Sequence, residues 1–224
     1  MKFTKYVALF VFFALSFEVF AVPLRVVNRD MKLRTQQLIE KQTITNPAVA
    51  AADDVLADDA GNTSAAAATQ TTFVAQPDVP RNLSMTPTGT TADVAACTIT
   101  ITGTNIFDAT ITEDFVFAEN ASTATVGTKA FKTVTSVAFP AACEDSPFGA
   151  TWDLGYGEKL GADRCMDSAG HLVFSTVSGV YETTRATVVA DADEVEKNTF
   201  DFNGTMDGAA DFEAFYLQNF RCFP

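Results

Sequence analysis

The sequence predicts a mainly β fold: an antiparallel β-sandwich or barrel-like domain carrying an extended N-terminal arm. Three observations predict it. Thr98-Ile99-Thr100-Ile101-Thr102 alternates strictly, which puts both isoleucines on one buried face. Short runs rich in Val, Thr and Phe recur from residue 73 onward, separated by Gly, Asn, Asp and Pro. No long amphipathic helix interrupts these runs, so hairpins rather than βαβ units connect them.

Composition sets the outer limits. A chain of 224 residues suits one domain with an arm, large enough to bury a core. At 19% charged and 47% apolar residues it is neither a disordered acidic tail nor a multi-span membrane protein. The formal net charge of −13 excludes non-specific nucleic-acid binding, because phosphate repels such a surface. A single histidine, His171, excludes any mechanism that needs two imidazoles. The charge is also divided. Residues 1–45 hold seven basic and three acidic side chains, net +4, which leaves −17 for the remainder.

The first expected unit, residues 1–45, is a basic, apolar arm. Lys2 and Lys5 precede an apolar run from Tyr6 to Phe17, and Val19-Phe20-Ala21 supplies the small residues of a cleavage site. The pattern is therefore signal-like, but the run is short and Glu18 interrupts it, so no bilayer span is expected. The segment is carried forward as a retained arm that packs on a partner subunit, through Phe10, Phe12 and Phe13 and through Arg25, Arg29, Lys32 and Arg34. Met31 to Lys41 reads as a short polar helix or an extended connector.

Residues 46–72, dominated by Ala, Asp and Thr, read as a linker or a short helix. Asn46-Pro47 would open that helix, with Asp53, Asp54, Asp58 and Asp59 on it, and Gly61-Asn62 would close it. Residues 73–224 form the expected β-rich domain. Thr98–Thr102 pairs with the runs Thr110–Thr112 and Phe115–Phe117 as a hairpin. Further strands are expected in Lys129–Phe139, His171–Val177, Arg185–Ala190 and Phe212–Phe220. The last region carries Phe212, Phe215 and Phe220, read equally as a final core strand or a subunit contact.

No constellation carries catalysis, and no cofactor or metal site is expected. Cys97, Cys143, Cys165 and Cys222 lack the close spacing of a zinc site or redox dithiol. In a reducing cytosol they would be buried free thiols, and in an exported chain they would allow three disulfide pairings. His171 has no flanking nucleophile motif and reads as a strand-edge or core residue. The tightest acidic cluster, Asp191, Asp193, Glu194 and Glu196, reads as a solvated loop, with a calcium site as the minor alternative. Four glycosylation sequons begin at Asn62, Asn82, Asn120 and Asn203.

Four segments in order carry a resemblance. Gln76-Pro77-Asp78-Val79-Pro80-Arg81-Asn82 is extended by its two prolines. It is followed by Thr100-Ile-Thr-Gly-Thr-Asn105, by Gly127-Thr-Lys-Ala-Phe-Lys-Thr-Val-Thr-Ser136, and by Gly155-Tyr-Gly-Glu-Lys-Leu-Gly161. Over about residues 73–165 this set resembles the capsid decoration (cement) and head structural proteins of tailed bacteriophages. The resemblance implies a non-enzymatic β-rich subunit on the outer capsid surface of the virion. Such a subunit stabilises the lattice of major capsid protein and associates with itself as a dimer or trimer. The alternative is a secreted β-sandwich adhesin or surface-layer subunit with disulfides.

Overall fold

The computed structural model describes residues 39–59, 66–141, 143–145 and 148–217, apart from the side chains of Asp58 and Asp59. Residues 1–38 belong to a separate unit, and the compact unit begins at Ile39. In chain order its strands open with β1 (Ile39–Ile44), β2 (Leu56–Asp59), β3 (Ala68–Gln70) and β4 (Arg81–Gly89). Next come β5 (Cys97–Thr104), β6 (Thr110–Phe117), β7 (Thr125–Val126), β8 (Thr133–Phe139) and β9 (Ala150–Gly161). The series ends with β10 (Leu172–Val177), β11 (Val180–Tyr181), β12 (Thr187–Val189), β13 (Thr199–Asp201) and β14 (Phe212–Leu217).

The predicted class holds. The fold is mainly β, its sheets are antiparallel, and one curls into half a barrel, as in a sandwich or barrel-like domain. Among the described residues three sheets are present, in the orders β1-β14-β10-β11, β12-β13-β9-β4-β7 and β3-β8-β5-β6, with β2 pairing on β9 as well.

Two large hydrophobic cores follow from the side-chain alternation, beside a small cluster of Cys165 and Val195 with Ile106 and Phe107. In β5, Ile99 and Ile101 are fully buried, and in β6 Phe115 and Phe117 point the same way. They meet Leu83, Met85, Trp152 and Leu154 from β4 and β9. Trp152 is edge-on to Phe117 at 4.9 Å and tilted against Phe139 at 6.1 Å. The second core gathers Leu160, Phe200, Phe202, Phe212, Ala214 and Tyr216 between the far end of β9 and the β14 sheet. Each fully buried Leu or Phe side chain contributes about 1.5–3 kcal/mol relative to exposure. β9 is twelve residues long and supplies side chains to both cores.

Its glycines explain how a strand so central is packed from outside. A Cβ on Gly155 would lie 1.7 Å from the Ala51 carbonyl oxygen, so the chain at residue 51 crosses directly over the strand. Tyr156 N–H donates to that same carbonyl. A Cβ on Gly157 would lie 2.2 Å from the Asn82 side chain.

Several expectations are corrected. The arm does not extend to residue 45: β1 lies within the β body and pairs residue by residue with β14. Its polar sequence, Ile-Glu-Lys-Gln-Thr-Ile, is set by that pairing rather than by local propensity. In 46–72, the stretch 56–59 and residues 68–70 are the strands β2 and β3, paired to β9 and β8, where a linker or helix was expected. The free-thiol expectation also fails. Cys97 and Cys143 form a disulfide with a Cα–Cα distance of 5.1 Å. Cys165 is disulfide-bonded as well, and Cys222 lies outside the described residues.

Candidate functional site

The most distinctive exposed surface is the outer face of the four-stranded β14 sheet. β14 alternates strictly: Phe212, Ala214 and Tyr216 are buried, while Glu213, Phe215 and Leu217 point outward. Register then assigns the neighbours. Lys41 lies opposite Phe215, Thr43 opposite Glu213, and Ile39 opposite Leu217. On the other side a bulge after Leu172 brings Phe174 opposite Phe215 and Thr176 opposite Glu213. Tyr181 then follows opposite Thr176.

The result is an aromatic row across three strands. Phe174 stacks on Phe215 with ring centroids 4.1 Å apart, and Tyr181 lies 6.1 Å from Phe174. Lys41 Nζ sits over the Phe215 ring at 5.7 Å and pairs with Glu213. Thr176 Oγ1 donates to the other Glu213 oxygen at 2.8 Å. The Lys41 and Thr176 hydrogen bonds hold the Glu213 carboxyl below the usual range.

The inner side of this sheet is fixed by polar contacts. Tyr216 Oη donates to Asp163, and burial first, then that bond, pushes the phenol above its ordinary value. The Gln42 amide bridges the same region, donating to Gly161 O at 2.9 Å and accepting from Asp163 N at 3.0 Å. Glu40 faces Arg164 at 3.6 Å.

The structure does not bring the expected interface residues together as one set. Phe212 is fully buried in the second core, and Phe215 is half-buried on the outer face. Phe10, Phe12, Phe13, Arg25, Arg29, Lys32, Arg34 and Phe220 lie outside the described residues. Phe174, Tyr181, Lys41 and Ile39 were not singled out from sequence. The signal for Tyr181 was Val177-Ser178-Gly179-Val180, apolar residues flanking a two-residue turn. Both central residues take positive φ, 49° and 76°, as a primed hairpin requires.

The other motifs resolve into structural roles. In the acidic loop, Asp191 Oδ1 accepts from the backbone N–H groups of Asp193 and Glu194, which hold its carboxyl below the usual range. The Asn198 side chain closes the loop by donating to Asp191 O and Glu194 O. Among the described residues no three His, Cys, Asp or Glu side chains are grouped to hold a metal ion. His171 Nδ1 is buried without a hydrogen-bond partner, so nothing orients the ring as a general base. One cleft, lined by Ala169, Gly170, Leu172 and Thr184–Val188, holds about 450 Å³, and other clefts are lined in part by Glu158, Glu182 and Asp201. Of the sequons, Asn82 is fully buried and the Asn203 amide donates to Thr184 O and Arg185 O, whereas Asn120 is exposed in a turn. Asn62 lies outside the described residues.

No protein-family model, no curated protein and no solved structure matches this chain.

Proposed function

We propose that the chain is a non-enzymatic structural virion protein that binds the outer surface of a tailed-phage capsid and stabilises its major capsid protein lattice. The observation that carries this reading is the division of charge along the chain. The unit 1–38 has net charge +4, because Glu40 and Lys41 cancel, and the compact β unit from Ile39 onward has −17. A short basic segment preceding an acidic β body in the sequence is suited to attachment, while the acidic body avoids packaged DNA. The order of the four sequence segments supplies the choice of capsid as partner.

Attachment through Arg25 and Arg29 makes occupancy salt-dependent. The test sediments the full chain with shells assembled from the major capsid protein of its own particle. The expected result is saturable binding that Arg25→Glu with Arg29→Glu abolishes at raised salt. Unchanged occupancy of the double variant ends the electrostatic attachment.

The disulfides favour a second reading, since such bonds persist on exported proteins as well as on virion surfaces. Under it the chain is a secreted β-sandwich adhesin or surface-layer subunit. Intact mass of the native chain separates the two. A mature start at Val22 supports export, and a start at Met1 on purified particles supports decoration.

A further inference from the structure

We infer that the outer face of the β14 sheet is a two-fold interface between copies of this chain. The inference goes beyond capsid attachment and does not depend on residues 1–38.

Charge is the first argument. The body carries −17, so two copies repel over most of their surfaces. On this face the charged side chains projecting from the strands are Lys41 and Glu213, which neutralise each other. The aromatic row and Ile39 therefore sit in a charge-balanced patch of an otherwise acidic molecule. Ile39 and Tyr181 are each 57% exposed, although both are large and apolar enough to gain from cover.

Symmetry is the second argument. A two-fold contact must be self-complementary, so that what one copy offers the other receives. This face holds both halves of an ion pair beside a stacked aromatic pair. A two-fold axis near Phe215 would let Lys41 and Glu213, paired within each copy, also pair across to the other copy, and would lay ring against ring. A face with one sign of charge would instead fit an unlike partner.

The geometry of β1 decides between face and edge. β1 is an edge strand among the described residues, open to strand addition. It is blunted, however, by Lys41 and by Glu40, which points inward toward Arg164. Copies therefore meet through the face rather than by adding a strand to β1.

The test measures the mass of the purified full chain in solution by light scattering and sedimentation, over a concentration series. The expected wild-type limit is twice the 24.0 kDa monomer. Tyr181→Glu and Ile39→Glu alter exposed side chains, so their melting temperatures should match wild type while the dissociation constant rises by about tenfold or more. Val116→Glu, a 66% exposed position on a different sheet, should leave it unchanged. A wild-type monomer overturns the inference and leaves the face to another occupant. So does a dimer that Tyr181→Glu and Ile39→Glu do not weaken, or a trimer. Shell binding is read separately, so loss of either property leaves the other standing.

Discussion

Arg81 spreads a fully buried guanidinium over three pieces of chain. Nε and Nη2 donate to Gly157 O at 3.0 and 2.7 Å, and Nη1 donates to Ala48 O and to Asp78 Oδ1. Its plane lies 5.1 Å from the Tyr156 ring. The side chain thus ties the segment before β2, the proline-bounded segment and β9 into one node. Arg81→Met removes the donor to those carbonyls and to Asp78 Oδ1, leaving Asp78 Oδ2 with the Ala48 N–H, and should cost about 3 kcal/mol, read from urea unfolding. Arg81→Lys recovers only part of it, because an ammonium cannot span a fork. Asp191 gives a pH-dependent case. Its carboxyl is held below its unfolded value, so the stability it adds is present above about pH 4 and fades as pH falls further. Asp191→Ala should lower stability at neutral pH and flatten the acid limb of the profile; equal slopes for both proteins would contradict this.

At the scale of elements, the Cys97–Cys143 disulfide anchors the start of β5 to the chain that leads into β9, closing a separation of 46 residues. Replacing both cysteines with alanine should lower stability by about 2–4 kcal/mol with shell binding intact. Gly155→Ala should be at least as damaging as a typical core substitution, since residue 51 backbone occupies the space of its Cβ. These two elements also mark the limit of what was legible. β5, β6 and β14 alternate cleanly, β8 does so apart from one irregularity, and local pattern is enough to find all four. β9 was not found, although Trp152, Leu154 and Tyr156 alternate, because Gly155, Gly157 and Gly161 look like loop residues until the chain packed against them is known. β1 was missed for the same physical reason: its partner, not its own sequence, makes it a strand. Phe215 was legible as an interface residue, but its companions Phe174 and Tyr181 join it only through the register of three strands.

The whole molecule joins a basic unit of 38 residues to an acidic β body with two large cores. The sign and size of that charge division were legible in the sequence, whereas the start of the compact unit at Ile39 was not. Among the described residues the β14 sheet offers a charge-balanced aromatic face, so the proposed attachment and the proposed self-association draw on different parts of the chain. Raised salt should therefore weaken shell binding more than self-association, which rests mainly on apolar burial. The most direct measurement is a density map of shells saturated with the full chain. The account predicts β bodies on the outer surface, with Arg25 and Arg29 lying against acidic groups of the capsid lattice. Shells that stay bare, or bodies bound with Arg25 and Arg29 facing solvent, would contradict it.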